Sequence, residues 1–403
     1  MTALLVGSAL AACGGSEPSS TGELFDASTV HEVEMEIADD ALDLLDPPSD
    51  TRVPTRLTVD GDVVPVAGVR LKRGASQFEG LDGKPGFSIR IDEFVDGLDI
   101  AGVTRFTLGN ARWDASFVAE QLTYEVFRAA GVPVARTALA RVVLNGETFG
   151  LYVMRETYDE AWLARTFDQP GGNLYESPGT ADATDTDLEL RTNEQRDDTG
   201  DLAAVAEAVA DTSAAHAREA IEELVDVDEL LTVWAVEAMT GHWDGYAYDI
   251  TEPGLVPPPA RPAGNPYVNN FYAYDDPADG RFVIIPHGAD LTFGLGGRDW
   301  VVDPTTSAVA PPKQNATIAV RLWEDPSFRR ELAARIRWTL DEVWDDEMLG
   351  RYADDLADLV RADGLTGTRE HVTLDEFEEA LAARVDFLAQ RGPAVRAELE
   401  DRS

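Results

Sequence analysis

Polar and apolar residues alternate over 30–37, the period of a half-buried strand. Residues 56–66 predict two short strands around an Asp60-Gly61 turn, and more strand signal follows at 68–72 and 87–91. Phe117, Leu122, Tyr124, Val126 and Phe127 then recur at helical spacing. This predicts a helix over 115–130, capped by Asp114 and stopped by Gly131 and Pro133. Apolar strands at 138–144 and 149–155 meet at Asn145-Gly146, the strongest hairpin signal in the chain. Past Tyr175, the polar stretch with Asp182, Asp185, Asp187 and Glu189 reads as a mobile, solvated loop.

The pattern changes after residue 200. Helices are predicted at 201–209, 214–224 and 227–240, the last apolar enough to be buried. The prolines of 253–266 forbid regular structure there. A second hairpin at 270–274 and 281–285 leads into Pro286-His-Gly-Ala-Asp-Leu-Thr-Phe-Gly294, and 318–399 is mostly amphipathic helix with Thr373 as one cap. The order of elements predicts an α+β chain: a strand-rich part over about 24–160 and a helix-rich part over about 161–403.

Charge narrows the partners. The 403 residues hold 33 Lys plus Arg against 75 Asp plus Glu, a net charge of −42. Such a surface repels nucleic acid and anionic lipid, so neither is expected as a partner. At the amino end, a short apolar run closes on Leu10-Ala11-Ala12-Cys13 and is followed by Gly, Ser, Pro and Thr. It is too short to span a bilayer and looks like a bacterial lipoprotein signal. That resemblance implies a signal peptide over 1–12, lipidation of Cys13 and a tether over 13–23. The membrane would then be met only through a lipid anchor on the cell envelope.

Two carboxylates stand out by their company. Asp244 follows the apolar helix in Gly241-His-Trp-Asp-Gly-Tyr246, and Asp290 ends an apolar strand, with Asn270 between them. An Asp, an Asn and a second Asp followed by Phe-Gly is the order in which protein kinases place a proton acceptor and two metal ligands. Lys72, in a Gly-containing turn with Gly74 and Ser76, is a candidate for phosphate contact. Lys84 and Arg90 flank the next strand, and Glu120 is the candidate helix partner for one of these cations. No Gly-x-Ser-x-Gly elbow is present, and the histidines are scattered, so neither a serine hydrolase nor a zinc site is supported. The Asp182–Glu189 cluster lacks the spacing and glycine of a calcium loop.

Together these stretches resemble the spore-coat protein H (CotH) kinase family. The matching segments include Gly-Val-Arg-Leu-Lys72, Lys84-Pro-Gly-Phe-Ser-Ile-Arg-Ile, Glu120-Gln-Leu-Thr-Tyr, Leu144-Asn-Gly-Glu-Thr-Phe-Gly with Glu156, Asp244-Gly-Tyr, Asn269-Asn-Phe-Tyr and the segment ending at Gly294. The resemblance implies a divergent two-lobed protein-kinase-like fold and an atypical protein kinase. Such an enzyme uses ATP with Mg2+ or Mn2+ to phosphorylate Ser or Thr of surface or secreted proteins, this chain included. It implies Asp244 as catalytic residue and Asn270 with Asp290 as metal ligands. Lys72, Lys84, Arg90, Glu120 and Glu156 are implied around the nucleotide. The alternative is a surface binding protein that kept the fold and lost the reaction. One departure is Gly288, where many family members carry a second carboxylate.

Overall fold

Alternation builds the opening part. In the computed structural model, β1 (Val30–Glu36), α1 (Asp39–Leu45), β2 (Val53–Val59), β3 (Asp62–Leu71), β4 (Phe87–Arg90), β5 (Arg105–Gly109), α2 (Ala119–Ala129), β6 (Thr137–Leu144) and β7 (Glu147–Glu156) follow in order. The strands close into a barrel in the order β1-β2-β3-β4-β5-β7-β6, with β6 returning parallel to β1. Leu71, Phe87, Leu108 and Met154 stand directly opposite one another across four strands and are fully buried inside the barrel. Their neighbours Arg70, Ser88, Thr107 and Arg155 form the matching row on the outer face, because side chains alternate along a strand.

The rest of the chain comprises α3 (Glu160–Thr166), β8 (Leu174–Glu176), β9 (Glu189–Leu190), α4 (Gly200–Ala210), α5 (Ala214–Leu224), α6 (Val227–Thr240), β10 (Phe271–Asp276), β11 (Arg281–Pro286), α7 (Thr317–Trp323), α8 (Pro326–Trp338), α9 (Asp346–Asp363) and α10 (Leu374–Asp401). A small sheet in the order β11-β10-β8-β9 lies among these helices. The barrel interior is one hydrophobic cluster. A larger one joins α2 to the helices and the small sheet. Helix α6 is almost wholly buried, starts with Asp226 accepting from Glu229 N and ends at Gly241 in the left-handed region (φ 70°).

The structure describes residues 24–46, 49–72, 79–179, 182–184, 188–196, 199–210, 214–250, 268–295 and 301–402. The expectations for the signal peptide, the tether, Cys13, the Gly74–Ser76 turn, Asp185, Asp187 and the proline-rich 253–266 lie outside these residues. Within them, the α+β character is observed, and strands β1 to β7 close as a barrel. No helix among the described residues is long and apolar enough to cross a membrane.

Several local expectations are corrected. Asp182 is not solvated: it is buried and accepts from Ala183 N, Tyr246 Oη and Thr317 N, which ties its segment to the start of α7. Helix α2 begins at Ala119 rather than 115. Asp114 accepts from Ser116 N and Ala119 N, so residues 114–118 form a capped turn before it. Strand β5, α1, α3, β8 and β9 were not expected from the pattern.

Candidate functional site

A cleft of about 800 Å3 lies between the outer face of the barrel and the first loops of the helical part. The barrel contributes Arg70, Lys72, Ser88, Thr107 and Arg155. Asp244, Asn270, His287, Gly288 and Asp290 face them. In a chain of net charge −42, the cleft gathers Arg52, Arg70, Lys72, Arg105 and Arg155 from the barrel side and Arg191 from beside β9.

Asp244 is delivered by the end of α6. Its Oδ2 accepts from Asn270 Nδ2 at 2.8 Å and from Asn269 Nδ2 at 3.3 Å, and Asn270 Nδ2 also reaches the Asp244 carbonyl at 3.1 Å. The segment just after it wraps around the buried Glu237 carboxylate, which accepts from the backbone amides of Tyr246, Ala247 and Tyr248 at 2.6, 2.9 and 2.9 Å. Buried Lys313 donates to the Gly245 carbonyl. Burial raises the Glu237 carboxyl, while Lys313 and the three amides favour its charged form. A buried acid with that many donors fixes the backbone on the far side of Asp244.

Asp290 faces a crowd of charge. Burial, then Glu120, then Asp244 push its carboxyl up to about 7, against the pull of Arg155. Lys72 is its mirror image: burial and the nearby Arg155 push the ammonium down to about 8, opposed by Glu120, Asp290 and Glu176. Burial and Arg155 likewise hold His287 well below its ordinary value, so it is neutral. Gly288 has φ +53°, and a Cβ there would lie 2.4 Å from Asn270 Oδ1.

The cleft therefore unites Asp244, Asn270, Asp290 and Lys72, four residues expected at a site. Glu156 lines it too, but both its oxygens are taken: Arg136 donates at 3.0 Å and Arg165 at 2.7 Å. Glu120 is buried and does not line the cleft; it pairs with Arg155, not with Lys72, Lys84 or Arg90. Lys84 is elsewhere: it is buried, donates to Glu370 Oε1 at 2.7 Å and sits over the rings of Phe117 and Tyr152. Arg90 pairs with Asp92 at 2.9 Å and Glu93 at 3.4 Å and lines a separate, smaller cavity. The pattern missed Arg155, and its signal was a cation closing the apolar run Leu151-Tyr-Val-Met154. It also missed Glu237 and Lys313, which look like any charged residues in one dimension.

A divalent cation fits the donor chemistry. Asp290 with the Asn270 amide supplies a carboxylate and an amide oxygen, and the Asp290 carboxyl, raised by burial first and by the nearby Glu120 and Asp244 after it, stands where a cation would favour its charged form. Among the described residues, no three His, Cys, Asp or Glu side chains form a metal cage by themselves. That suits Mg2+, which takes one or two carboxylates and fills its shell with phosphate oxygens and water.

Residues 73–395 match the family described as CotH kinase protein. The invasin CotH7 of Rhizopus delemar is 23% identical over 276 residues. The match covers 64% of this chain and 42% of that protein, so the chain spans less than half of its relative's length. Among solved structures, the Helicobacter pylori proinflammatory kinase CtkA superposes with a TM-score of 0.35 at 10% identity, over 83% of this chain and 97% of that one. HipA in its complex with HipB and operator DNA, from Shewanella oneidensis, gives 0.32 at 10% identity, over 97% and 75%. Neither likeness is close enough to bear on the fold.

Proposed function

The chain belongs to the CotH kinase protein family, and from that premise we propose that it is an ATP- and Mg2+-dependent protein kinase, with Mn2+ as the substitute metal. The observation that carries this reading is the meeting of Asp244, Asn270, Asp290 and Lys72 in one cleft, although they are spread over more than half the chain. The fold in this reading is a divergent two-lobed kinase, with the barrel as the first lobe and the helical part as the second.

Asp244, held by two asparagines, accepts the proton of the Ser or Thr hydroxyl as it attacks. Asp290 and the Asn270 amide hold the cation, which when bound neutralises charge on the phosphates. Lys72 holds the phosphates from the barrel side. Arg155 is kept in place by Glu120 and lies near Lys72 on the same side of the cleft. The acceptor is a surface or secreted protein, with this chain among the candidates. Cys13 anchors the enzyme to the bacterial envelope.

The binding half of the proposal is tested by thermal melting. Mg-ATP at about 100 times its Kd should stabilise the protein by about 2.7 kcal/mol. Asp290→Asn should abolish that shift while leaving the protein folded. A surface binding protein that has lost the reaction predicts melting indifferent to Mg-ATP, and that result would overturn the kinase reading.

A further inference from the structure

The barrel wall of the cleft is a charged sheet face, which is a different kind of surface from a slot for a flat apolar ring. Arg70, Ser88, Thr107 and Arg155 stand directly opposite one another on β3, β4, β5 and β7. At ~4.8 Å per strand their row spans about 14 Å. Arg155 is engaged by Glu120, and Arg191 by Glu176 at 2.6 Å. Arg70 and Lys72 differ: they are two residues apart and share one face. Among the described residues, neither side chain makes a hydrogen bond or an ion pair. Beside them, Arg105 Nε is buried without a hydrogen-bond partner, its nearest carboxylate being Asp159 at 4.0 Å. Ser88 Oγ accepts from Arg52 Nη2 at 2.9 Å, which leaves the hydroxyl proton for a ligand.

Among the described residues, apolar surface is scarce on the same wall. Tyr158 and Tyr272 are only 2% and 3% exposed and pack edge-on against each other, with centroids 4.9 Å apart. Among the described residues, that leaves Pro178 and Leu291 as the apolar lining that is not buried. Free guanidinium and ammonium groups with hydroxyls between them match phosphate oxygens, for which the planar arginine fork is suited.

We propose that the cleft recognises the phosphoanhydride chain of its phosphate donor rather than the nucleobase, with Arg70, Lys72, Ser88 and Thr107 as the cradle of that chain. Nucleoside triphosphates of different bases and inorganic tripolyphosphate are then ligands of one site. The proposal rests on the kinase reading only for its direction, the terminal phosphoryl lying toward Asp290.

Titration of the purified protein with ATP, GTP and tripolyphosphate, each with Mg2+, separates the sources of this chemistry. The expected result is three dissociation constants within about threefold of one another, with orthophosphate weaker by about tenfold or more. Arg70→Met should weaken all three long ligands by about tenfold. Its melting temperature without ligand checks folding, and Arg105→Gln is expected to weaken the same set. ATP binding more than about tenfold tighter than both GTP and tripolyphosphate would overturn the proposal and leave the kinase reading standing. Orthophosphate equal to tripolyphosphate would reduce the cradle to a single anion hole and overturn it as well. Failure of all three long ligands to bind would overturn both readings.

Discussion

Gly288 stands where its backbone has φ +53° and where a Cβ would meet Asn270 Oδ1 at 2.4 Å. A side chain at this position would collide with Asn270, which is a steric reason for glycine here. Gly288→Asp should not add a metal ligand. It should push Asn270 away from Asp244, cost about 1–3 kcal/mol through the strained backbone and erase the Mg-ATP melting shift. Melting with and without Mg-ATP checks both effects, and a preserved shift would contradict the account. The position was legible in the sequence as a departure, but its cause was not, since φ and a contact with residue 270 leave no trace in a linear pattern. The lysines make the same point. Lys72 and Lys84 both border short strands in the sequence, and only the buried Glu370, 286 residues further on, distinguishes the structural lysine from the one facing the cleft.

Elements with strong periodicity were read correctly: the buried helix α6, the hairpin of β6 and β7 at Asn145-Gly146, and the hairpin of β10 and β11. Strand β5 alternates strictly as Arg-Phe-Thr-Leu-Gly, but with two apolar residues in five it was too short to stand out from the surrounding loops. Barrel closure was equally hidden, since the pairing of β1 with β6 joins segments about a hundred residues apart. A further connection runs between the loop joining α9 to α10 and the β6–β7 hairpin. Thr368 N and Arg369 N donate to the carbonyls of Thr148 and Phe149 at 2.8 and 2.9 Å, and Arg141 pairs with Asp363 at 2.6 Å. Lys84 with Glu370 is the buried charge in this connection. Lys84→Met should strand the Glu370 carboxylate and cost about 3–5 kcal/mol, measured by denaturant unfolding. Mg-ATP affinity, determined where the variant is folded, should be unchanged. A large loss of affinity at unchanged stability would return Lys84 to the nucleotide.

The whole molecule carries a net charge of −42, yet six of its 33 basic residues line one cleft. Self-repulsion of the acidic surface opposes the compact state, and salt relieves it. Raising ionic strength toward ~1 M, where the screening length is about 3 Å, should raise the melting temperature of the free protein. The same salt should weaken Mg-ATP binding, because the cleft attracts its ligand by charge. A melting temperature indifferent to salt would show that the acidic excess has no bearing on stability. A kinase must transfer the terminal phosphoryl group of ATP to a protein hydroxyl. The direct measurement is incubation of the protein with γ-labelled ATP, Mg2+ and a generic acceptor protein, beside the folded Asp244→Ala variant. Label on protein from the parent and none from the variant is the result predicted. Equal labelling by both would remove Asp244 from the reaction, and no label from either, with no Mg-ATP melting shift, would contradict the kinase reading.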